Sequence, residues 1–183
     1  MDLNESDPVN SLIGRYKAER GVIKSFFAKI PLYSQALENF QYDNADLTIR
    51  KEISTKLQSY KNPIRDIEAQ FVRKNLLNLI GKTDSLSSLL DRVAISVNSA
   101  SYGLSGAGTG LKPTQEELEK LAQFDYTVLK SVNDLEDKIN EYSSNVSQMT
   151  NETDITYQTS LIIKEIEAID KLFKERKNIF IKL

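Results

Sequence analysis

The chain has 183 residues and contains no histidine and no cysteine. That excludes imidazole general bases, Ser–His and Cys–His nucleophile systems, disulfides, and every metal site built on imidazole or thiolate, leaving carboxylate, Lys, Tyr and Ser/Thr chemistry. With 27% charged and 40% hydrophobic residues, only seven glycines and four prolines, and a net charge of -2, the composition is that of a folded helical chain with no basic excess to attract nucleic acid.

The first residues, MDLNESDP, carry acid where a signal peptide carries base, and no run in the chain reaches the ~20 apolar residues of a membrane span. A cytoplasmic chain with a disordered tail over residues 1–7 is therefore expected. Asp7-Pro8 supplies an N-cap and first-turn pair for a helix marked by Leu12, Ile13, Tyr16, Ile23, Phe26, Phe27 and Ile30, which Pro31 breaks. The same helix carries Arg15, Lys17, Arg20, Lys24 and Lys29 against the single acid Glu19. A basic amphipathic helix suits an acidic partner or an anionic lipid surface, while aromatics at this spacing equally serve as core. Arg15, Lys17, Arg20, Lys24, Phe26 and Phe27 are accordingly the candidate partner-binding residues. A short helix is expected to follow through Phe40.

An apolar line through Ile49, Ile53, Leu57, Tyr60, Ile64, Ile67 and Phe71 is interrupted by Asn62-Pro63. It predicts a kinked element ending near Ile80, with Gly81 as its stop. Thr83 or Asp84 is then the expected cap of a helix carrying Leu86, Leu89, Leu90, Val93, Val97 and Ala100 and ending at Gly103. Residues 103–113, GLSGAGTGLKP, hold four of the seven glycines. A phosphate loop needs Lys-Ser/Thr directly after the last glycine, and a dinucleotide loop needs a preceding strand. Here Leu111-Lys112-Pro113 follows and a helix precedes, so this segment reads as an interhelical connection.

Thr114-Gln115-Glu116-Glu117 is a capping box at the head of a heptad seam. That seam passes through Leu118, Leu121, Asp125, Val128, Val132, Leu135, Ile139, Tyr142, Val146 and Met149. A second seam takes Ile155, Thr159, Ile162, Ile166, Ile169, Phe173, Arg176, Phe180 and Leu183. Met149 and Ile155 lie six residues apart, a phase error that neither a stutter nor a stammer repairs, so a turn is predicted between them. Ala122, Phe124, Tyr126 and Leu129 widen the first seam; Leu161, Ile163, Ala168, Leu172, Ile179 and Ile181 widen the second, and both broad faces call for covering helices. Between them, residues 143–160 contain four serines, four threonines, two acids and no base, which predicts a thin polar tip.

Asp125 and Arg176 are the charged intruders in the two seams, and reflection about residue 151 sets Asp125 opposite Arg176 or Lys177. A buried pair there fixes register. Residues 50–82 hold eight bases and three acids, residues 112–154 four bases and ten acids, and such segments pair most simply side by side. Carboxylate pairs at Glu116/Glu119, Asp134/Asp137, Asp137/Glu141 and Glu167/Asp170 have the spacing to hold Mg²⁺, but all lie off the seams and read as solvated faces.

The fold class expected is all-α: one domain forming an elongated bundle of five or six helices with a long C-terminal antiparallel helical hairpin. Residues 8–102 supply the N-terminal helices, 103–113 the glycine-rich loop and 114–183 the hairpin. The function expected is non-catalytic interaction or scaffolding, with no cofactor and no metal, toward a protein partner or a second copy, through the first helix or the hairpin tip. The alternatives are an all-α carboxylate–Mg²⁺ phosphohydrolase-like enzyme and a peripheral membrane-associating protein.

Overall fold

The computed structural model describes residues 21–23, 25–30, 33, 35, 42–100 and 114–176. Among these every regular element is helical and no strand occurs. Residues 21–23 and 25–27 are helical; then come α1 (Tyr42–Ser59), α2 (Lys61–Arg73), a 3₁₀ turn (Leu77–Leu79), α3 (Ile80–Ser99), α4 (Gln115–Asn145) and α5 (Glu152–Glu175). The tail at 1–7, the side chains of Arg15, Lys17, Arg20 and Lys24, the segment 103–113, and the seam ends Phe180 and Leu183 lie outside the described residues.

The break between α1 and α2 follows from Pro63. Proline has no N–H for the Ser59 carbonyl and its ring crowds that group, so the helix yields one turn earlier, at Tyr60. The Tyr60 and Ile64 amides still reach the carbonyls of Lys56 and Tyr60, at 3.3 and 3.4 Å. The apolar line runs unbroken through this point, with all seven residues from Ile49 to Phe71 at most 2% exposed.

The end of that line departs from expectation. α2 stops at Arg73, well before Ile80, in a Schellman turn: the Leu76 amide donates to Phe71 O at 2.8 Å and the Asn75 amide to Val72 O at 3.1 Å. Asn75 takes the left-handed conformation, φ 58°, which asparagine tolerates better than most L residues. Gly81 is not the stop but lies in the first turn of α3. Nor does Thr83 or Asp84 cap that helix. The 3₁₀ turn feeds into Ile80, whose amide bonds to Leu77 O, so the helix is under way before Thr83. Thr83 is buried inside it, its hydroxyl donating to Ile80 O at 2.7 Å.

α4 begins where the capping box puts it. The Glu117 amide donates to Thr114 Oγ1 at 3.3 Å, and Glu117 Oε2 accepts from the Thr114 amide at 2.6 Å. Asn151 caps α5, its Oδ1 accepting from the Thr153 amide at 2.9 Å. From Leu121 to Val146 and from Ile155 to Arg176 every seam position is buried, and Met149, just past α4, is half-buried. At the head of α4 all of residues 121–126 are buried, so this stretch is covered all round. On α5 the second apolar line is left open: Leu161, Ile163 and Leu172 are half-buried and Ala168 is exposed, contrary to the full cover expected.

The described residues group into two compact units, one holding those up to 50, Ala100, 114–129 and 172–176, the other 51–99 and 130–171. In the first, Phe27 stacks on Tyr33 with ring centroids 4.4 Å apart, and Phe26 meets Tyr126 edge-on at 4.9 Å. The second packs Leu57, Ile64, Phe71, Leu86, Leu90, Val93, Leu135, Ile139, Ile162 and Ile166 into an apolar core. Hydroxyls tie its helices: Tyr60 donates to Val132 O at 2.9 Å, and Tyr142 and Thr159 share a 2.9 Å hydrogen bond. Lys56 meets Glu136 at 3.6 Å, one contact between the basic and acidic segments.

Candidate functional site

The densest group of ionisable side chains lies inside the first unit. Arg176 follows the last residue of α5 and occupies the seam position where an apolar residue would otherwise close the heptad, so its guanidinium enters the core, 1% exposed. Its Nε donates to Asp125 Oδ1 at 2.7 Å, its NH2 to Asp125 Oδ2 at 3.0 Å, and its NH1 to Asp46 Oδ1. Asp125 comes from the middle of α4 and Asp46 from the first turn or so of α1; they are 1% and 3% exposed. Tyr33, fully buried, donates its hydroxyl to Asp125 Oδ2 at 2.7 Å. Arg50, one turn beyond Asp46 on α1, closes the set with Nε and NH2 each 2.8 Å from Asp46 Oδ2.

The electrostatics favour the protonated forms of Arg176 and Tyr33. Burial alone would lower the Arg176 pKa, but the charges of Asp125 and then Asp46 reverse this and hold it above the ordinary arginine value. Burial, with the neighbouring Asp125 carboxylate, pushes the Tyr33 phenol well above the usual tyrosine range, so it remains a donor. Two guanidinium groups face two carboxylates, and each carboxylate oxygen accepts at least one hydrogen bond. Such a cluster binds segments together; it presents no unengaged oxygen to a proton or a cation. Two charges taken from water repay that cost only with complete hydrogen bonding, which this geometry supplies.

The sequence pairs Asp125 with Arg176 or Lys177, and the pairing with Arg176 is present. The seam pattern does not include Tyr33, Asp46 or Arg50. Asp46 had a signal, since stepping back three residues from Ile49 along the α1 line lands on it and finds Arg50 at the next turn. Tyr33 had none, standing alone after Pro31.

Of the candidate partner-binding residues, Phe27 is 4% exposed and Phe26 half-buried, both packed in the first unit; the four bases are outside the described residues. The acidic pairs are scattered on surfaces: Asp134, Asp137, Glu141 and Glu167 are exposed, and Glu116 pairs with Lys120 at 2.8 Å. Among the described residues no group of three or more such side chains is placed to hold a metal ion. None of the described helices is long and apolar enough to cross a membrane.

A second polar cluster fastens the turn between α4 and α5. Lys74 Nζ donates to Val146 O at 2.9 Å and Met149 O at 2.6 Å, and Asn78 donates to Glu152 at 3.0 Å. These carbonyls lie just past Asn145, so the ammonium stands beyond the C-terminal end of α4, where it also complements the negative end of the helix dipole. On the Lys74 side of this junction Val72 and Leu77 are 54% and 56% exposed. No protein-family model, curated protein or solved structure matches the chain.

Proposed function

We propose that this chain is a non-catalytic interaction or scaffolding module that works by contact with a protein partner or a second copy. The observation that carries the reading is the state of its buried charges: every oxygen of Asp46 and Asp125 is engaged by Arg50, Arg176 or Tyr33. The charged core is spent on cohesion. Contact then falls to the basic segment with Arg15, Lys17, Arg20 and Lys24, and secondarily to the turn after α4, where Val72 and Leu77 add apolar surface. In this reading the site is cytoplasmic, and α4 and α5 form an antiparallel hairpin within a helical bundle. The pairs Lys138–Glu165, Tyr142–Thr159 and Asp125–Arg176, each nearly symmetric about residue 151, support that arrangement.

The test uses the full chain as bait in quantitative affinity capture from its native source, beside the double variant Arg20→Glu/Lys24→Glu. The variant is expected to lose the partner while keeping helicity and Tm, because surface substitutions cost less than about 0.5 kcal/mol. Mg²⁺-dependent hydrolysis of a phosphate ester by the wild type, abolished by Asp134→Asn/Asp137→Asn, would overturn the non-catalytic reading.

A further inference from the structure

The turn from α4 to α5 buries almost nothing of its own. From Ser147 to Asp154 only Met149 is sheltered, and that one is half-buried; every other side chain is exposed. Local bonds give the turn its shape: the Gln148 amide donates to Asn145 O at 2.9 Å, the Met149 amide to Val146 O at 3.3 Å and the Thr153 amide to Asn151 Oδ1 at 2.9 Å. A segment with few buried apolar contacts and exposed backbone bonds is among the first to open in a folded protein. Its ties to the corner between α2 and α3 are polar, with Lys74 Nζ on the Val146 and Met149 carbonyls and Asn78 on Glu152.

The two sides of this contact differ in how firmly they are held. The Lys74 amide bonds to Gln70 O at 3.0 Å, and Phe71 and Leu79, which flank the Schellman turn, are 0% and 3% exposed. The corner is therefore anchored in the core, and the turn is the part that can leave. Charge gives the corner its grip. An ammonium has three N–H donors, of which Lys74 uses two on neutral carbonyl oxygens, and among the described residues it meets no carboxylate. Such charge-assisted bonds are about twice as strong as neutral ones. An Nε-acylated lysine keeps one N–H and no charge, so it holds at most one of the two carbonyls, and more weakly.

We propose that Lys74 is a charge-dependent latch on the α4–α5 turn, one that acylation of its side chain opens. The co-reactant is an acyl thioester. The ammonium gives one proton to water, the amine attacks the thioester carbonyl, the C–N bond forms as the C–S bond breaks, and the departing thiolate takes up a second proton from nitrogen. Because both carbonyls engage the latched ammonium, the nitrogen reacts when the turn is open, and the acyl group then keeps it open. The inference rests on the interaction reading, in which this turn is a contact surface, and gives that surface a regulator.

Hydrogen exchange of the full chain, measured residue by residue by NMR, reads the latch directly. With Lys74 carrying an Nε-acetyl group introduced by amber suppression, and in its mimic Lys74→Gln, exchange at the Gln148, Met149 and Thr153 amides should rise at least about tenfold, the loss expected for a charged hydrogen bond. Amides in the middle of α3 should stay protected. Lys74→Arg keeps the charge and should stay close to wild type. Acetylation of the wild-type chain with N-acetoxysuccinimide supplies a second readout if those variants fail to fold: Lys74 should react at least about tenfold more slowly than Lys51, which is exposed, and Asn78→Ala should speed it. Unchanged exchange in the acetylated chain, exchange in Lys74→Arg as fast as in Lys74→Gln, or labelling of Lys74 as fast as Lys51 overturns the proposal. None of these readouts involves a partner, so the latch can fail while the interaction reading stands, and the affinity capture described above can fail while the latch stands.

Discussion

Arg176 and Asp125 meet through two parallel hydrogen bonds, Nε to Oδ1 at 2.7 Å and NH2 to Oδ2 at 3.0 Å, with both residues 1% exposed. This fork-to-fork geometry is the strongest form of the carboxylate–guanidinium pair. It joins α4 to the residue that follows α5, while the third arm of the guanidinium reaches α1 through Asp46. One heptad of slip would bring Arg176 against Leu118 or Val132, where nothing accepts its hydrogen bonds, so the pair selects among registers that the apolar seam alone leaves nearly equal.

Asp125→Ala, which leaves Arg176 buried with half of its partners, is expected to lower the unfolding free energy by about 3–5 kcal/mol. Asp125→Leu/Arg176→Met combined with Tyr33→Phe should recover most of that loss, because Asp46 keeps Arg50 as its partner and no buried phenol is left without an acceptor. Urea unfolding monitored by circular dichroism decides the matter. A loss below about 1 kcal/mol for Asp125→Ala would mean that the pair behaves like an exposed one.

Stability should decline on the alkaline side. Burial first, then nearby carboxylates for Tyr33 and Tyr60, raise the phenol pKa values of Tyr33, Tyr60 and Tyr142 in the fold, whereas unfolded tyrosines ionise near about pH 10. The folded state therefore holds more protons than the unfolded state above that pH. The contribution is complete below about pH 10 and drains away as the pH rises toward the folded values. Urea midpoints between about pH 8 and 11 should fall, and Tyr33→Phe should make the fall shallower by one proton. A flat profile in the wild type would contradict the burial of these phenols.

The left-handed residue at the end of α2 gives a third expectation. Asn75→Gly should be neutral or raise stability by a few tenths of a kcal/mol, whereas Asn75→Val should cost about 1–2 kcal/mol, since a β-branched side chain at φ 58° collides with its own backbone. Thermal melts of the two variants compare them directly. A tolerated valine would show that the Schellman turn re-forms elsewhere.

The Lys138–Glu165 ion pair offers a chemical reading of the α4–α5 arrangement. A zero-length carbodiimide reagent should join these two side chains by an amide within one chain, identified by mass spectrometry of the tryptic peptides. Lys138→Arg should abolish that product. The same amide found only between chains would overturn the proposed hairpin in favour of an exchanged pair of molecules.

Much of the core was readable because heptad spacing is a strong local signal: the seam positions from Leu121 to Val146 and from Ile155 to Arg176 are buried as the periodicity predicts. The Thr114 box was equally plain, being a local bond between neighbours. The stop of α2 was not. Gly81 and Thr83 carry the stronger propensities for stop and cap, but the chain turns at Asn75, where two backbone hydrogen bonds close the helix end, and glycine and threonine are tolerated inside α3. Tyr33 and Asp46 lie 92 and 130 residues from their partners Asp125 and Arg176, a relation that periodicity along one helix does not encode.

The placement of the tyrosines makes the two units optically distinguishable. The chain has no tryptophan, so its near-ultraviolet absorbance and emission come mainly from eight tyrosines. Tyr33 and Tyr126 lie in the first unit and Tyr60 and Tyr142 in the second, all buried. Tyr33 alone among these four shares its proton with a fully buried carboxylate, a contact that quenches phenol fluorescence and shifts its absorption to the red. Loosening of the Arg176 cluster should therefore brighten the protein at tyrosine wavelengths, an increase that Tyr33→Phe should remove. Paired unfolding curves, one from emission and one from helicity, would then report whether the two units melt together or in sequence.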